Sequence, residues 1–219
     1  MSLTVGLETG RTACLDSVTG LVQAVESFSE HDLLGPSRCH GWTRLDAVVH
    51  VVAGWQEMLA GLVCLVEEQP TVDAASYWPE FAAAFGGGDP VPALMAQRRR
   101  TAAYLRPADA VEQLHELAES LRRGVAALPD RACAWQGHVF AAGDFLAIWA
   151  VEHAVHHLDL CSSVPAPASA LALTRATVEA LAGPLPADWS DEKAVLVGAG
   201  RVPVPDGLGE TAARLPALG

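Results

Sequence analysis

The 219-residue sequence predicts a mainly α protein: a bundle of four major helices with one long crossover, followed by a short α+β extension. Three observations carry that expectation. Apolar residues recur at helical spacing over several long stretches. Half of the residues are hydrophobic, with Ala, Leu and Val dominant. After Cys161 the texture changes to prolines, glycines and short apolar runs. The length suits one sizeable core or a domain of about 150 residues with an appendage. The expected division is a bundle over 1–163 and an extension over 164–219.

From Glu8 to Ser29, residues Cys14, Leu15, Val18, Leu21, Val22 and Val25 keep helical spacing and define a first helix. His31 to Trp42 carries Gly35, Pro36 and Gly41 and reads as a loop. Thr43 and Asp46 form a capping-box-like start, Asp replacing the usual Glu or Gln, for a second helix to about Glu67. Residues 70–90, with Tyr77-Trp78-Pro79 and Gly86-Gly87-Gly88, read as a long connection, either a lid or wall of a site or a plain insertion. A third helical region runs from about Pro92 to Leu128, kinked or split at Pro107. Pro129 to Ala142 is a loop bearing Trp135 and His138. Gly143-Asp144 then opens the fourth helix, with Asp144 as N-cap.

Ser162 to Ser169 is a linker stiffened by Pro165 and Pro167, and 170–182 form a short helix ending at Gly183-Pro184. Ala194–Val197 and Val202–Val204 read as a hairpin, whose second strand Pro203 and Pro205 confine to an edge. The tail from Asp206 packs on the bundle or frays.

A net charge of −12 argues against nucleic-acid or anionic-membrane partners, which need a basic surface. The run Gln97-Arg98-Arg99-Arg100 is the local exception: a solvated face, or a dock for an anionic ligand. No run reaches the ~18 apolar residues of a membrane span, because His50 and Glu57 interrupt the best candidate, Leu45 to Val66. The first residues show no basic segment followed by an apolar one, so a cytoplasmic protein is expected. Five widely spaced cysteines without C-x-x-C pairs suit neither a disulfide framework nor a zinc knuckle.

Chemistry concentrates between Phe145 and Leu160. Phe145, Ile148, Trp149 and Val155 mark an inward stripe, and Glu152, His156 and Asp159 fall on the same stripe one turn apart. His153 and His157 lie about a quarter turn aside, either behind the ligands or at the bundle surface. An inward carboxylate needs a partner, since burying it alone costs several kcal/mol. A divalent cation held by Glu-x3-His meets that need; so does a buried Glu–His hydrogen bond with water. A third ligand would come from a facing helix. His50 is the candidate there, on a face thinned by Gly54, Gly61, Ala47 and Ala53 and flanked by Asp46 and Glu57. Alone, it would be a hydrogen-bonded core histidine.

The run Cys39-His40-Gly41-Trp42-Thr43, then Asp46 and His50, resembles the opening motif of the mycothiol-dependent maleylpyruvate isomerase family, within the DinB-like metal-binding bundles. Glu152, His156 and Asp159-Leu160 are similar to its second signature, Glu-x3-His-x2-Asp-Leu, about a hundred residues on. The resemblance covers roughly 8–161. It implies a DinB-like up-down four-helix bundle with metal ligands His50, Glu152 and His156, and mycothiol as co-substrate. Cys39 would be a packing residue of the motif. Asp159 would orient a ligand or cap a helix end.

Two imidazoles and one carboxylate leave coordination positions open, as catalytic sites do. Zinc is expected first, with nickel, iron and manganese also accepted by such donors. The expected activity is a metal-dependent S-transferase or isomerase joining a small-molecule thiol to an electrophilic substrate. The alternatives are a hydrolase on the same site, or a non-catalytic metal- or small-molecule-binding bundle. An acidic bundle of this kind could pair as a homodimer.

Overall fold

The structure is a computed structural model and describes residues 2–85 and 89–218. The expected Gly86-Gly87-Gly88 part of the connection lies outside them. The first periodic stretch forms α1 (Leu7–Glu26), and Ser29 caps a one-turn helix α2 (Glu30–Leu33) where a loop was expected. Its cap is a reciprocal box: Asp32 N–H donates to Ser29 Oγ, and the Asp32 carboxylate accepts from Ser29 N–H.

Helix α3 (Arg44–Val63) starts as its sequence predicts. Asp46 N–H donates to Thr43 Oγ1 at 3.0 Å, and Thr43 N–H donates back to Asp46 Oδ2 at 2.8 Å. It ends four residues early, because Leu65–Val66 pair as strand β1. The connection is shorter than expected, since Tyr77–Phe85 fold as α4, with Pro79 tolerated in the first turn. Pro107 splits the next region into α5 (Val91–Thr101) and α6 (Pro107–Ala127), and it sits at the start of α6, where its missing N–H costs nothing.

The expected loop before the fourth helix holds two strands, β2 (Ala132–Trp135) and β3 (His138–Phe140), in an antiparallel sheet of order β1-β2-β3. Trp135 pairs with His138 across a two-residue turn. Gln136 (φ 48°) and Gly137 (φ 80°) both take left-handed backbone there, as such a turn requires.

Helix α7 (Ala142–Asp159) is the motif helix, and Asp144 is not its N-cap. Ala141 holds that position. Asp144 lies inside the first turn, 2 % exposed, and accepts Val5 N–H at 2.7 Å. Helix α8 (Ala168–Ala182) follows the proline linker and ends at Gly183 (φ 103°). The expected hairpin is absent: Asp191–Gly198 form helix α9, with Ser190 Oγ accepting Lys193 N–H. Acidic Asp191 and Glu192 favour a helix N-terminus, and Val178 packs on Gly198, so tertiary context overrides the β-branched run. A 3-10 turn, Gly209–Arg214, lies in the tail.

Helices α1, α3, α6 and α7 make the bundle. Gly10 meets Gly143, and Gly20 meets His157, so α1 and α7 run parallel. His50 faces His156 and Gly61 faces Phe145, so α3 runs against α7. Arg11 reaches Val125 while Glu26 reaches His115, so α6 runs against α1. The long crossover after α3 is what lets α6 run the same way as α3. Because α1, α3, α8, α9 and the sheet all pack on α7, that helix is buried nearly all round; Glu152 alone of its residues is not buried. No helix of the described residues is long and apolar enough to cross a membrane.

Candidate metal centre

The antiparallel contact of α3 and α7 brings three donors together. One ligand atom each from His50, Glu152 and His156 lie within 4.8 Å of one another. The His50 and His156 rings are 4.7 Å apart at 67°, and Trp42 backs His50 at 5.2 Å. Glu152 Oε2 is 3.3 Å from His156 Nε2. Gly54, one turn from His50, lets the Trp149 ring approach α3, where a Cβ would stand 3.2 Å from it. The Glu152 side chain keeps 26 % of its surface exposed, so the trio opens to solvent on that side.

The charge states suit a cation. Burial, helped by the charge of His156, pushes His50 down to about 4, so it presents a neutral lone pair. Burial pulls Glu152 up, but hydrogen bonding to His156 and the surrounding imidazoles outweigh it and keep the carboxylate ionised. Burial likewise works against a charged His156. The hydrogen bonds to Asp159, Cys39 and Glu152, with the Glu152 charge, overcome it and raise this imidazole well above its ordinary value. Without a cation the trio is therefore an imidazolium–carboxylate pair, open to solvent at Glu152, beside a neutral imidazole. A divalent ion would take the place of the proton on Nε2.

Behind His156 stands Asp159, fully buried, its Oδ2 at 3.1 Å from His156 Nδ1. Burial would raise its pKa, yet His156 and Arg201 hold the carboxyl well below the usual carboxylate range. Arg201 donates from Nε to Oδ1 at 2.8 Å and from Nη2 to Oδ2 at 3.1 Å. The Cys39 thiol donates to the same Oδ2 at 3.0 Å. Cys39 is thus a hydrogen-bonding group beside the donor trio rather than packing alone. Arg201 carries no local signal, being forty-two positions from Asp159 in a glycine turn of the extension.

His153 and His157 are not on the surface. They are 2 % and 3 % exposed, because α1 lies along that side of α7. His153 sits between Ser17 and Trp55, and His157 Nε2 donates to the Val164 carbonyl at 2.9 Å. Neither joins the donor trio.

Tyr77 Oη donates to Gln136 Oε1 at 3.2 Å, and Gln136 Nε2 donates to Glu57 Oε2 at 3.1 Å. This bar ties α4, the hairpin tip and α3 together. Burial, with Glu152 and Glu57 adding, raises the Tyr77 phenol, which keeps it protonated. Arg98, Arg99 and Arg100 are exposed; Arg98 reaches the Gly41 carbonyl at 3.3 Å, and the charge of Arg100 adds to the lowering of His50.

The chain resembles known proteins in sequence and in fold. Residues 14–161 match the family described as Mycothiol maleylpyruvate isomerase N-terminal domain. Two solved structures share the fold: the mycothiol-dependent maleylpyruvate isomerase and a histidine-to-alanine mutant of it. Each has a TM-score of 0.54 and 15% identity, over 80% of this chain and 70% of that chain. No curated protein matches the chain in sequence.

Proposed function

From the premise that the chain belongs to the mycothiol maleylpyruvate isomerase N-terminal domain family, we propose that it is a metal-dependent S-transferase or isomerase. It would use a low-molecular-weight thiol of the mycothiol type on a small electrophile. His50, Glu152 and the Nε2 of His156 would hold the cation, zinc first among the candidates. The bundle, 1–163, carries the three ligands, and the extension, 164–219, supplies Arg201. The observation that carries the reading is the convergence of these donors from α3 and α7 on one solvent-open point.

When bound, a cation there would lower the proton affinity of the thiol, whose proton passes to solvent, favouring the thiolate nucleophile at neutral pH. The chain's own residues position and confine. Asp159 accepts the His156 Nδ1–H and fixes the ring with Nε2 toward Glu152. Trp42 limits the swing of His50, its ring 5.2 Å away. The thiolate sulfur would add to a carbon of a conjugated double bond, whose π pair moves onto the activating carbonyl as an enolate. Rotation about the resulting single bond and return of that pair, expelling the thiolate, would give isomerisation; protonation of the enolate from solvent would give the conjugate.

The test is metal analysis of the purified protein, then consumption of an electrophile with and without mycothiol, for the natural chain and for His50→Ala. Bound metal, thiol-dependent turnover and loss of both in His50→Ala are expected. Turnover without thiol would favour a hydrolase. Full metal content and undiminished conjugation in His50→Ala would sink the proposal.

A further inference from the structure

His156 belongs to a second convergence of donors. Cys39 Sγ, a ring nitrogen of His156 and a carboxylate oxygen of Asp159 also lie within 4.8 Å of one another. The two trios compete for one imidazole: its Nε2 faces Glu152, and its Nδ1 faces Asp159. By donor chemistry the second trio is a serious rival for zinc or cobalt, because it offers a soft sulfur. One group distinguishes them. The Arg201 guanidinium occupies both oxygens of Asp159, at 2.8 and 3.1 Å, and its Nη2 stands 3.7 Å from Cys39 Sγ. Arg201 is itself fixed by the extension: its N–H donates to the Leu196 carbonyl at 2.8 Å, and Nη1 donates to that of Ala199 at 3.0 Å.

We propose that Arg201 decides which donor trio receives the cation. With its fork on Asp159, that carboxylate is already paired, and a fixed positive charge faces any cation approaching Cys39. Asp159, held still, keeps the Nδ1–H of His156 donated, which leaves Nε2 free on the His50–Glu152 side. Arg201 is a positioning residue, and it gives the extension a part in the metal chemistry of the bundle. The inference rests on the reading that His50, Glu152 and His156 take the cation.

Cobalt(II) alone, titrated into the full chain, tests it, because a thiolate ligand adds a sulfur-to-cobalt charge-transfer band in the near ultraviolet. The natural chain is expected to bind cobalt without that band. Arg201→Met should gain the band, and Cys39→Ser combined with Arg201→Met should lose it again. Arg201→Lys, which keeps the charge, should retain the natural spectrum. Arg201→Gln removes the charge but keeps one donor to Asp159, and it gives the same reading if the Met variant does not fold by circular dichroism. A thiolate band in the natural chain overturns the proposal. So does a natural spectrum in folded, cobalt-loaded Arg201→Met or Arg201→Gln, while the metal reading stands. Failure of the natural chain to bind cobalt removes the metal reading itself, and this inference with it.

Discussion

The Trp55 indole N–H donates to His153 Nε2 at 2.8 Å in the core. An indole nitrogen only donates, so Nε2 is the accepting nitrogen and the ring proton sits on Nδ1. That proton goes to Ser17 Oγ at 2.8 Å, and the Ser17 hydroxyl goes on to the Cys14 carbonyl, also at 2.8 Å. His153 is thereby a saturated, neutral imidazole, although its neighbour in sequence, Glu152, belongs to the donor trio.

This neutrality predicts an acid sensitivity. Burial pushes His153 down to about 3, well below the value of about 6.5 for a histidine in the unfolded chain. On acidification the unfolded state takes the proton first. The His153 contribution is therefore intact above about pH 6.5 and is lost as pH falls toward about 3, at up to about 1.4 kcal/mol per unit. His50 in the metal-free chain acts in the same direction, so the comparison needed is with His153→Gln. That variant should be less stable near neutrality but lose less on going to about pH 4.5. Urea unfolding at both values measures it, and equal losses in the two proteins would refute the assignment.

Ser17→Ala removes the acceptor for the Nδ1–H in a fully packed setting. A buried donor left unpaired costs about 1–3 kcal/mol, so the midpoint in urea should fall without a change in slope. A cost near zero would mean that His153 had found another partner or tautomer.

The glycines of the α1–α7 contact predict a sharper loss. A Cβ on Gly143 would stand 2.0 Å from the Val5 carbonyl oxygen and 2.7 Å from the Gly6 carbonyl carbon, both backbone atoms that cannot step aside alone. Gly143→Ala should cost roughly 3 kcal/mol through forced separation of the helices. Gly124→Ala is the control. Its Cβ meets only a Leu62 methyl at 3.0 Å, and the gain of about 0.8–1 kcal/mol in helix propensity should offset that contact. Thermal unfolding of the two variants compares them directly.

These residues also show what the sequence could and could not tell. The bundle was legible because α1, α3 and α6 carry plain helical periodicity and because Thr43 and Asp46 form a true cap. The expected trio of His50, Glu152 and His156 does converge, since a thinned α3 face lets α7 approach. A single inward stripe leaves His153 and His157 open between the interior and the surface, and the surface alternative fails because α7 is enclosed on nearly every side. The β2–β3 turn was hidden by Gln at a left-handed position where Asn or Asp would have signalled it. Ala194–Val197 reads as a strand from its β-branched residues alone, and the Ser190 cap and the packing of Val178 on Gly198 make it a helix. Arg201 depends on a contact between distant segments, which no local pattern announces.

The strongest remaining prediction concerns the cation and stability. In the metal-free chain the site stores an imidazolium–carboxylate pair, and a ligand that binds only the folded state adds its binding free energy to folding. At a hundredfold excess over its dissociation constant, zinc should add about 2.7 kcal/mol, read as a rise in Tm that a chelator reverses. His50→Ala should abolish the rise. Asp159→Asn should weaken it, because the amide cannot match the carboxylate's hold on the His156 Nδ1–H, and loss of such a partner costs about 10–100-fold in metal affinity. Asp159→Asn also leaves Arg201 facing a neutral group, so its metal-free Tm should fall as well. The affinity loss is separated from that fall by calorimetric titration at a temperature where the variant is folded. Unchanged zinc affinity in folded Asp159→Asn would show that the ring of His156 is held by packing, without the help of the carboxylate behind it.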